Sequence, residues 1–436
     1  MKEAVNIFWF RRDLRLNDNA GLYHALKSEN PVVPIFIFDK NILDELEDKH
    51  DRRVEFIRAA LEEMQEQLIK IGSSLEVYYG YPGDVYKKLI EKYKIEKVFT
   101  NSDYEPSAIE RDEAINKMLQ KEKISMHSFK DQVIFEKNEV LKDDGKPYTI
   151  FTPYSNRWKS IVNEFYLKQY PTKKNFKNFF KQAAKRIPSL DSMGFKEVDK
   201  SFPSKELNKE IITHYKKDRD YPGIHGTSKL GVHLRFGTIS IRELAKKASS
   251  LSDVYLKELI WRDFYQSILF HFPKVGKGKA FKVEYDFIEW RNNEKEFQHW
   301  CNGTTGYPIV DAGMREINET GFMHNRVRMI VASFLSKHLL IDWRWGEAYF
   351  AKKLLDYDLA ANNGGWQWAA GSGCDAAPYF RIFNPYLQTK KFDPDLKYIR
   401  KWVPEFEEFT YPKPIVEHEF ARKRVLEVYT KAVKQK

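Results

Sequence analysis

Short apolar runs alternate with longer amphipathic segments through the first 130 residues, and this alternation limits the fold more than any other feature of the chain. Arg53–Ile71 carries apolar side chains at the spacing of an α-helix. The apolar runs are rich in β-branched and aromatic residues and are Ala4–Phe10, Pro31–Asp39, Ser74–Gly80, Lys97–Thr100 and Ile124–Phe129. Strands that alternate with helices are typical of a doubly wound sheet, so we predict an α/β domain built on five parallel strands.

The segment FRRDLRLNDN (Phe10–Asn19) follows the first predicted strand. It contains no GxGxxG, so the usual dinucleotide-binding fingerprint is missing at this position. Its charged side chains fit either a basic loop that covers the sheet or a binding site at the carboxyl ends of the strands. The pattern alone leaves both interpretations open.

The pattern changes after residue 130. Lys168–Arg186 contains seven basic residues and no acidic one, which is typical of a solvated linker, with contact to DNA as the alternative. Long helical patterns follow Glu206, namely Val254–Phe270, Val310–Glu319, Asn325–Leu340 and Glu347–Leu355. We therefore predict an α/β domain over residues 1–130, an interdomain linker over 131–205 and an all-helical domain over 206–436.

Composition limits the classes of molecule that the protein is expected to bind. A net charge of +11 favours a polyanion, either nucleic acid or a phosphate-rich ligand. Cys301 and Cys374 lack metal-ligand spacing and cannot form a disulfide framework, so we expect no metal site. The N-terminus reaches charged residues too early for a signal peptide, and no apolar run approaches the roughly 20 residues that span a bilayer. We expect a soluble, cytoplasmic protein that does not bind membranes.

One segment concentrates polar and oxidisable side chains: LLDYDLAANNGGWQWAAGSGCDAAPYFRIFNP (Leu354–Pro385). It holds two adjacent Asn, two Trp one residue apart, three Asp and an Arg. A buried polar group without a partner costs roughly 1–3 kcal/mol, so a polar cluster flanked by aromatic residues is typical of a binding site.

GTSKLGVHLRFGTIS (Gly226–Ser240) begins with Gly and hydroxyl residues and then enters a predicted helix. Backbone N–H groups and the positive end of the helix dipole at such a start favour phosphate binding. The alternative is an ordinary capped helix, with Thr227 or Ser228 as the N-cap.

Two further helical segments carry candidate site residues. LKELIWRDFY (Leu256–Tyr265) places on one helix face Glu258, Trp261, Arg262 and Tyr265. A Trp between the two charges indicates a pocket wall, whereas Glu258 and Arg262 alone would form only a surface salt bridge. Residues 325–329 carry Asn, two Arg and Met on another helix, and we interpret the preceding His324 as structural.

Taken together, these motifs resemble those of the photolyase/cryptochrome family. They run in the family's order along the chain and are FWFRRDLRLNDN, GTSKLGVHLRFGTIS, ELIWRDFY, GYPIVDAGMR, MHNRVRM and DLAANNGGWQWAAGSGCDAAPYFRIFNP. The last motif resembles class I cyclobutane pyrimidine dimer (CPD) photolyases in particular. The resemblance implies a lyase that repairs UV-damaged DNA, single- or double-stranded, by light-driven electron transfer from reduced FAD to a flipped-out dimer.

The resemblance also implies which residues bind FAD in the helical domain. They are Tyr215, Thr227, Ser228, Lys229, Leu230, Gly231, Tyr255, Arg262, Arg328, Asp356, Asp358 and Asn362. Asn362 matches the residue that faces flavin N5, where plant-type cryptochromes carry Asp, and a neutral amide there can hydrogen-bond without adding negative charge. The family often has Ser where this chain has Gly231, so only the backbone N–H remains for that phosphate contact.

Three tryptophans match the family's photoreduction triad, Trp366, Trp343 and Trp290. Indole is among the side chains most easily oxidised, so a row of them can carry an electron from the surface to excited flavin. The alternative is that these are three ordinary core aromatics.

The residues that match the lesion pocket are Glu258, Trp261, Asn325, Arg326, Met329, Trp368 and Gln388. Trp261 and Trp368 would supply flat walls for the dimer, and Glu258 a hydrogen bond to the thymine edge. Glu258 and Asn362 are the predicted catalytic residues.

Two other activities occur in the same family. A six-four photolyase needs a His pair at the positions of Asn325 and Met329, and neither is His. A blue-light receptor usually carries a long C-terminal tail or a changed residue near N5, whereas this chain stops at Lys436 and keeps Asn362. We therefore predict a CPD photolyase, with the photoreceptor as the alternative.

The resemblance allows a second chromophore in the N-terminal domain, of folate, deazaflavin or flavin type. Glu105 lies near the position expected for such an antenna, but no motif chooses among the three pigments. We expect a monomer, associated with the nucleoid if the source is bacterial.

Overall fold

The computed structural model describes residues 3–198 and 201–434, which fold into two compact units. The first unit consists of Met1–Glu136, Val162–Glu206 and Lys229–Lys247, and the second consists of Lys137–Ile161, Leu207–Ser228 and Ala248–Lys436. The segment predicted as a linker is therefore divided between the two units. Residues 229–247 belong to the first unit although the sequence places them in the helical half of the chain.

A parallel sheet of five strands, as predicted, forms the centre of the first unit within the described residues. The strands are β1 (Ala4–Phe10), β2 (Val32–Asp39), β3 (Glu76–Gly80), β4 (Lys94–Asn101) and β5 (Ser125–Phe129). Their order is β3-β2-β1-β4-β5, and every neighbouring pair is parallel. β2 is buried along its whole length, as expected for an interior strand of a parallel sheet.

Helices connect these strands and make up nearly all of the second unit. The α-helices of the described residues are α1 (Ala20–Lys27), α2 (Lys40–Leu43), α3 (Arg52–Ile69), α4 (Pro82–Lys92), α5 (Pro106–Lys121), α6 (Phe151–Ile161), α7 (Lys209–Asp218), α8 (Gly231–Phe236), α9 (Ile241–Leu251), α10 (Asp253–His271), α11 (Glu294–Asn302), α12 (Pro308–Thr320), α13 (Asn325–Ser333), α14 (Trp343–Lys353), α15 (Leu359–Ala370), α16 (Pro385–Phe392), α17 (Lys397–Trp402) and α18 (His418–Lys434). A π-helix spans Phe334–His338, and 3-10 helices span Thr172–Asn178, Asp191–Met193, Val275–Lys277 and Val283–Phe287. Within the described part of the chain, none of these helices has the length and apolar character to cross a membrane.

Buried ion pairs explain why residues 229–247 pack in the first unit. Arg242 Nε donates to Asp18 Oδ1 at 2.8 Å, and its Nη2 donates to Asp131 Oδ1 at 2.7 Å. Asp131 also accepts from Arg15 at 2.7 Å. Buried charges persist only when they are paired, so these contacts fix the start of α9 to the loops of the sheet.

In the second unit, α15 packs against α10, α13 and α14. Two glycines permit this close approach. A Cβ on Gly364 would lie 2.2 Å from the Tyr265 ring of α10, and a Cβ on Gly346 of α14 would lie 2.0 Å from the Trp366 ring of α15. The polar residues of α15 are therefore held between two neighbouring helices.

The predicted helix Asn325–Leu340 is not one regular α-helix. It ends as α13 at Ser333 and continues as the π-helix, which rotates the following side chains around the axis. Lys337 is buried there, its Nζ donates to the Arg381 carbonyl at 2.8 Å, and burial lowers its pKa to about 7. His338 is also buried and bonds His418 at 2.8 Å.

Candidate functional site

A cavity of about 360 Å³ lies in the second unit, within the size range of small-molecule sites. Helices α10, α13, α14 and α15 and the segment before α15 supply most of its walls. The lining residues are Arg219, Glu258, Trp261, Tyr265, Asn325, Arg328, Met329, Ala332, Phe350, Leu354, Asp356, Tyr357, Asp358, Ala361, Asn362, Gly365, Trp366 and Trp368.

Two groups of predicted residues meet in this cavity. The residues predicted to face the flavin and present here are Arg328, Asp356, Asp358, Asn362 and Trp366. The residues predicted to face the lesion and present here are Glu258, Trp261, Asn325, Met329 and Trp368. One cavity thus borders both sets.

The start of α15 positions its polar residues. Asp358 is the N-cap, and its Oδ1 accepts from the Ala361 backbone N at 3.1 Å. Gln266 of α10 donates to both Asp358 oxygens at 3.3 Å. Asn362 and Trp366 follow on successive turns, so the helix presents an amide and an indole to the same space.

The Asn362 amide is held by the neighbouring helix. Its Nδ2 donates to the Glu347 carbonyl at 3.2 Å, which leaves Oδ1 as the acceptor for a ligand. The Glu347 carboxylate in turn accepts from Asn363 Nδ2 at 2.8 Å. Burial raises the pKa of Glu347 to about 7.

Two ion pairs place charge on the cavity walls. Arg219 Nη1 donates to Glu258 Oε1 at 2.5 Å, and Arg328 Nη2 donates to Asp356 Oδ2 at 2.9 Å. Burial raises the pKa of Glu258, and Arg219 opposes that rise. Glu258 lines the cavity and bonds Arg219 of another segment, so it is more than half of a surface salt bridge with Arg262.

Aromatic rings make the apolar walls. Trp261 stacks on Phe151, and its neighbour along the cavity is Tyr265, with ring centroids 5.3 Å apart. Asn325 Nδ2 approaches Met329 Sδ at 4.0 Å on α13. The cavity therefore combines flat apolar surfaces with a few fixed polar groups, as ligand sites usually do.

The three tryptophans of the predicted relay differ in burial. Trp366 and Trp343 are buried, and Trp290 is only partly buried. Trp366 lines the cavity, and its Nε1 has no hydrogen-bond partner within residues 3–198 and 201–434. Trp290 meets the Tyr429 ring edge-on, with centroids 6.0 Å apart.

Other predicted residues lie outside the cavity lining. They are Tyr215, Thr227, Ser228, Lys229, Leu230, Gly231, Tyr255, Arg262, Arg326, Gln388, Trp343 and Trp290. Tyr255 nevertheless joins a cluster beside the Arg219–Glu258 pair: its hydroxyl bonds Ser228 Oγ at 2.9 Å, and its ring meets Tyr215 edge-on. Arg326 pairs with Asp220 at 2.7 Å.

The alternative of an ordinary helix capped by Thr227 or Ser228 is wrong. α8 begins at Gly231, its N-cap is Leu230, and no side chain caps it. Lys229 just before it has a φ of 54°, so the chain turns sharply here and neither Thr227 nor Ser228 reaches the first helical N–H groups. Lys229, Leu230 and Gly231 belong to the first unit.

His324 is structural, as interpreted from the sequence. It is the N-cap of α13 and accepts from the Arg326 backbone N at 3.2 Å. Burial lowers its pKa to about 4. In the first unit, Glu105 forms ion pairs with Arg12 and Arg235, each at 2.8 Å.

Sequence reasoning missed several residues of the cavity wall. Arg219 lies in a run of charged residues, where nothing distinguishes it from a solvated side chain. Phe350 and Leu354 are one turn apart at the end of α14, and the sequence does not distinguish them from ordinary core residues. The small residues Ala361 and Gly365 could have been predicted, because they lie one turn apart on the cavity face of α15.

Comparison with known proteins agrees with this geometry. Residues 6–175 match the family described as DNA photolyase, and residues 255–410 match the FAD-binding domain of DNA photolyase. The deoxyribodipyrimidine photo-lyase of Vibrio cholerae is 35% identical and aligns over 98% of this chain and 100% of its own length. That of Escherichia coli is 36% identical, over 99% of this chain and 100% of its own length.

Solved structures are similar over the whole chain. A class III photolyase from Agrobacterium tumefaciens is 33% identical, with a TM-score of 0.88 and coverage of 100% of this chain and 99% of that one. An archaeal photolyase from Sulfolobus tokodaii, solved with two FAD molecules, is 35% identical, with a TM-score of 0.83 and coverage of 98% and 99%. A cryptochrome from Synechocystis sp. PCC6803 shares the fold at 23% identity and a TM-score of 0.84.

Fold and site therefore define a flavoprotein with an α/β unit and a helical FAD-binding unit. The chain belongs to the DNA photolyase family.

Proposed function

We propose that the protein splits cyclobutane pyrimidine dimers in UV-damaged DNA with light absorbed by bound FAD. The observation that carries this proposal is the single cavity bordered by both the flavin-facing and the lesion-facing residues. The curated relatives named deoxyribodipyrimidine photo-lyase align along their full length and support the same reaction.

The cavity fits a flavin. It offers an unbonded indole N–H at Trp366, an amide oxygen at Asn362 and an Arg328–Asp356 pair around apolar walls. A planar ring with a polar edge needs these groups. Arg328, Asp356, Asp358 and Asn362 would hold the FAD, which when bound supplies the light-driven electron that opens the cyclobutane ring and takes it back.

The protein's own residues would bind and orient the dimer. Trp261 is held rigid by Phe151 and would stack on the flipped-out pyrimidines, with Trp368 as a second aromatic wall. Glu258 would hydrogen-bond the thymine edge, and Arg219 keeps that carboxylate oriented. Asn325 and Met329 carry no titratable group, so these two positions lack the His pair that a six-four photolyase needs.

Trp366, Trp343 and Trp290 would return an electron to oxidised flavin from the surface. Trp366 and Trp343 are buried and Trp290 is only partly buried, which suits a path that starts at the cavity and ends near solvent. The relay restores the reduced cofactor and takes no part in dimer splitting.

The remaining features are proposals of the same kind. The protein would act as a monomer on chromosomal DNA, and the Leu354–Pro385 motif supports class I membership. The first unit would carry an antenna pigment, a proposal supported by the archaeal photolyase solved with two FAD molecules. Glu105 is less suited to bind it than the sequence suggests, because two arginines already pair with its carboxylate.

The test uses the chemically reduced holoenzyme and an oligonucleotide with one CPD, with a six-four lesion as the control substrate. Blue light should restore the CPD strand, whereas darkness should not, and the six-four strand should stay damaged. Repair of the six-four lesion would contradict the substrate assignment. Absence of repair of either lesion in light would leave the photoreceptor as the function.

A further inference from the structure

A basic segment of the first unit lies outside the site described above. It runs over residues 168–186 and is called the basic strip here; its cations are Lys168, Lys173, Lys174, Lys177, Lys181, Lys185 and Arg186. All seven are exposed, and the segment contains no acidic residue. The sequence alone left open whether it is a solvated linker or a DNA contact.

The basic strip is not a loose linker, because its backbone is fixed to the amino-terminal side of the sheet. Phe180 N donates to the Val32 carbonyl at 2.9 Å, at the start of β2. Lys185 N donates to Ser74 Oγ at 2.8 Å, just before β3. Asn178 Nδ2 donates to the Leu26 carbonyl at 2.7 Å, at the end of α1. The backbone positions that carry the cations are therefore held in place, while the exposed side chains extend from them.

Its local geometry turns the lysines outward. In the 3-10 helix Thr172–Asn178, residues three apart lie on one face. Thr172 is buried and its Oγ1 donates to the Leu16 carbonyl at 2.7 Å, so the face of Thr172 packs on the unit. Lys174 and Lys177 share another face, and both are exposed.

The strip's charges are uncompensated, unlike other lysines of the same unit. Lys87 pairs with Asp84 at 3.0 Å and Lys94 pairs with Glu96 at 3.0 Å. Within the described part of the chain, no ion pair joins a basic-strip cation to an acidic side chain. Uncompensated charge of one sign repels itself, and a polyanion relieves that repulsion.

The chemistry of the surface distinguishes DNA from a lipid surface. Membrane-binding segments combine cations with exposed large apolar side chains. Among the described residues, none of the exposed large apolar side chains lies within 168–186, and Phe179 is buried. A surface of cations alone suits a phosphate backbone.

We propose that the basic strip is a second DNA-binding surface, which contacts the phosphates of undamaged duplex and holds the enzyme on DNA without regard to lesions. The inference rests on the proposed function, because it takes DNA as the partner. The inference does not depend on the cavity, so the basic strip and the proposed function can be tested independently.

The experiment compares the holoenzyme with two variants of equal charge. The test variant changes Lys173, Lys174, Lys177 and Lys185 to Gln and keeps Lys181, whose Nζ bonds the Ile71 carbonyl. The control variant changes Lys87, Lys88, Lys94 and Lys97, four exposed lysines of the same unit, to Gln. Binding to an undamaged duplex is measured in the dark at several salt concentrations.

Each phosphate contact contributes roughly 0.9 to the slope of log affinity against log salt. The test variant should lower that slope by about 2 to 4 and weaken binding at least tenfold at low salt, while the control variant should change both much less. Light-driven repair of a short, saturating CPD oligonucleotide should stay at the wild-type rate in both variants, which checks the cavity separately.

Three outcomes would overturn the inference. Equal losses in the two variants would mean that only net charge matters. An unchanged slope in the test variant would mean that the basic strip does not touch DNA. Loss of binding to vesicles rich in anionic lipid, without loss of binding to duplex, would assign the surface to a membrane. Matching thermal unfolding curves would show that the variants are folded.

Discussion

Phe151 lies face to face on Trp261, with ring centroids 3.6 Å apart and ring planes inclined by 5°. Phe151 is the first residue of α6, and its backbone N donates to Asp375 Oδ2 at 2.9 Å. One face of the Trp261 indole is thus covered by a residue from the segment predicted as a linker. The aromatic wall of the cavity is fixed from behind by a part of the chain far away in sequence.

This stacking predicts a positioning role for Phe151. Trp261→Ala should weaken binding of a CPD oligonucleotide by about 1–3 kcal/mol, the usual worth of one base–aromatic stack. Phe151→Leu keeps the indole but frees its rear face, so affinity should fall less, and the rate of repair at saturating substrate should change little. Fluorescence anisotropy with the labelled oligonucleotide measures both affinities.

Phe297→Leu is the matched control, because Phe297 also stacks on an indole, that of Trp300, with centroids 5.8 Å apart and outside the cavity lining. If Phe151→Leu and Phe297→Leu weaken dimer binding equally, stacking behind Trp261 has no special role.

Glu258 should affect the yield of repair more than affinity. Its carboxylate is fixed by Arg219 and would bond the thymine edge as negative charge arrives there. Glu258→Ala should lower the quantum yield of repair several-fold, and Glu258→Gln should recover part of it because the amide still forms hydrogen bonds. The measurement is repair per absorbed photon by chemically reduced enzyme. Identical quantum yields for the Ala variant, the Gln variant and the wild type would show that Glu258 has no role in the reaction.

Trp366→Phe should block photoreduction of oxidised flavin while repair by chemically reduced enzyme continues. Trp300→Phe is the control, since the Trp300 indole also contacts Trp366, with centroids 6.1 Å apart, but lies off the proposed path. Flavin absorbance under blue light with an added thiol follows the reaction. Wild-type photoreduction in the Trp366 variant, or an equal block in the Trp300 variant, would contradict the assigned path.

Glu347 should make stability fall as pH rises. Its pKa is about 7 in the folded protein against an ordinary 4.5, so between these values the folded state keeps a proton that the unfolded state has released. Its contribution to the free energy of unfolding is therefore complete below the lower value and is lost as pH rises through the upper one. Glu347→Gln cannot ionise, and it should be more stable than wild type at about pH 8, on the order of 1–3 kcal/mol, and similar at about pH 5.

Urea unfolding across this pH range tests the Glu347 prediction. Glu405→Gln supplies a control of opposite sign, because a hydrogen bond from Arg315 lowers the pKa of Glu405. Ionised Glu405 stabilises the folded state at pH values above its ordinary pKa, so the Gln replacement should destabilise the protein near neutral pH. A Glu347 variant whose advantage does not grow with pH would show that this carboxyl group is not held protonated.

The strands and long helices could be predicted because their periodicity is local. β1 has the predicted bounds, and α10 spans Asp253–His271 against a predicted Val254–Phe270. The assignment of each segment to one of the two units could not be predicted from local periodicity. Residues 229–247 read as part of the helical half, yet the bond from Arg242 to Asp18 joins residues 224 positions apart and ties them to the sheet.

The candidate site was predictable to the extent that its residues stand in recognisable motifs. Asn362, Trp366 and Asp358 are in one motif, and the structure brings them to one face of α15. Arg219 and Phe151 stand in no motif and act only through a partner from another segment. Such pairings depend on three-dimensional packing, which no single stretch of sequence contains.

Gly346 sets the distance between α14, which carries Trp343, and the Trp366 ring on α15, because even a methyl group there would overlap that ring. Electron tunnelling falls exponentially with the gap between donor and acceptor. If the two indoles exchange an electron, a residue with no side chain, which neither donates nor accepts charge, controls the speed of that exchange. A substitution at Gly346 would slow the relay by widening a gap, while every oxidisable group in it remained in place.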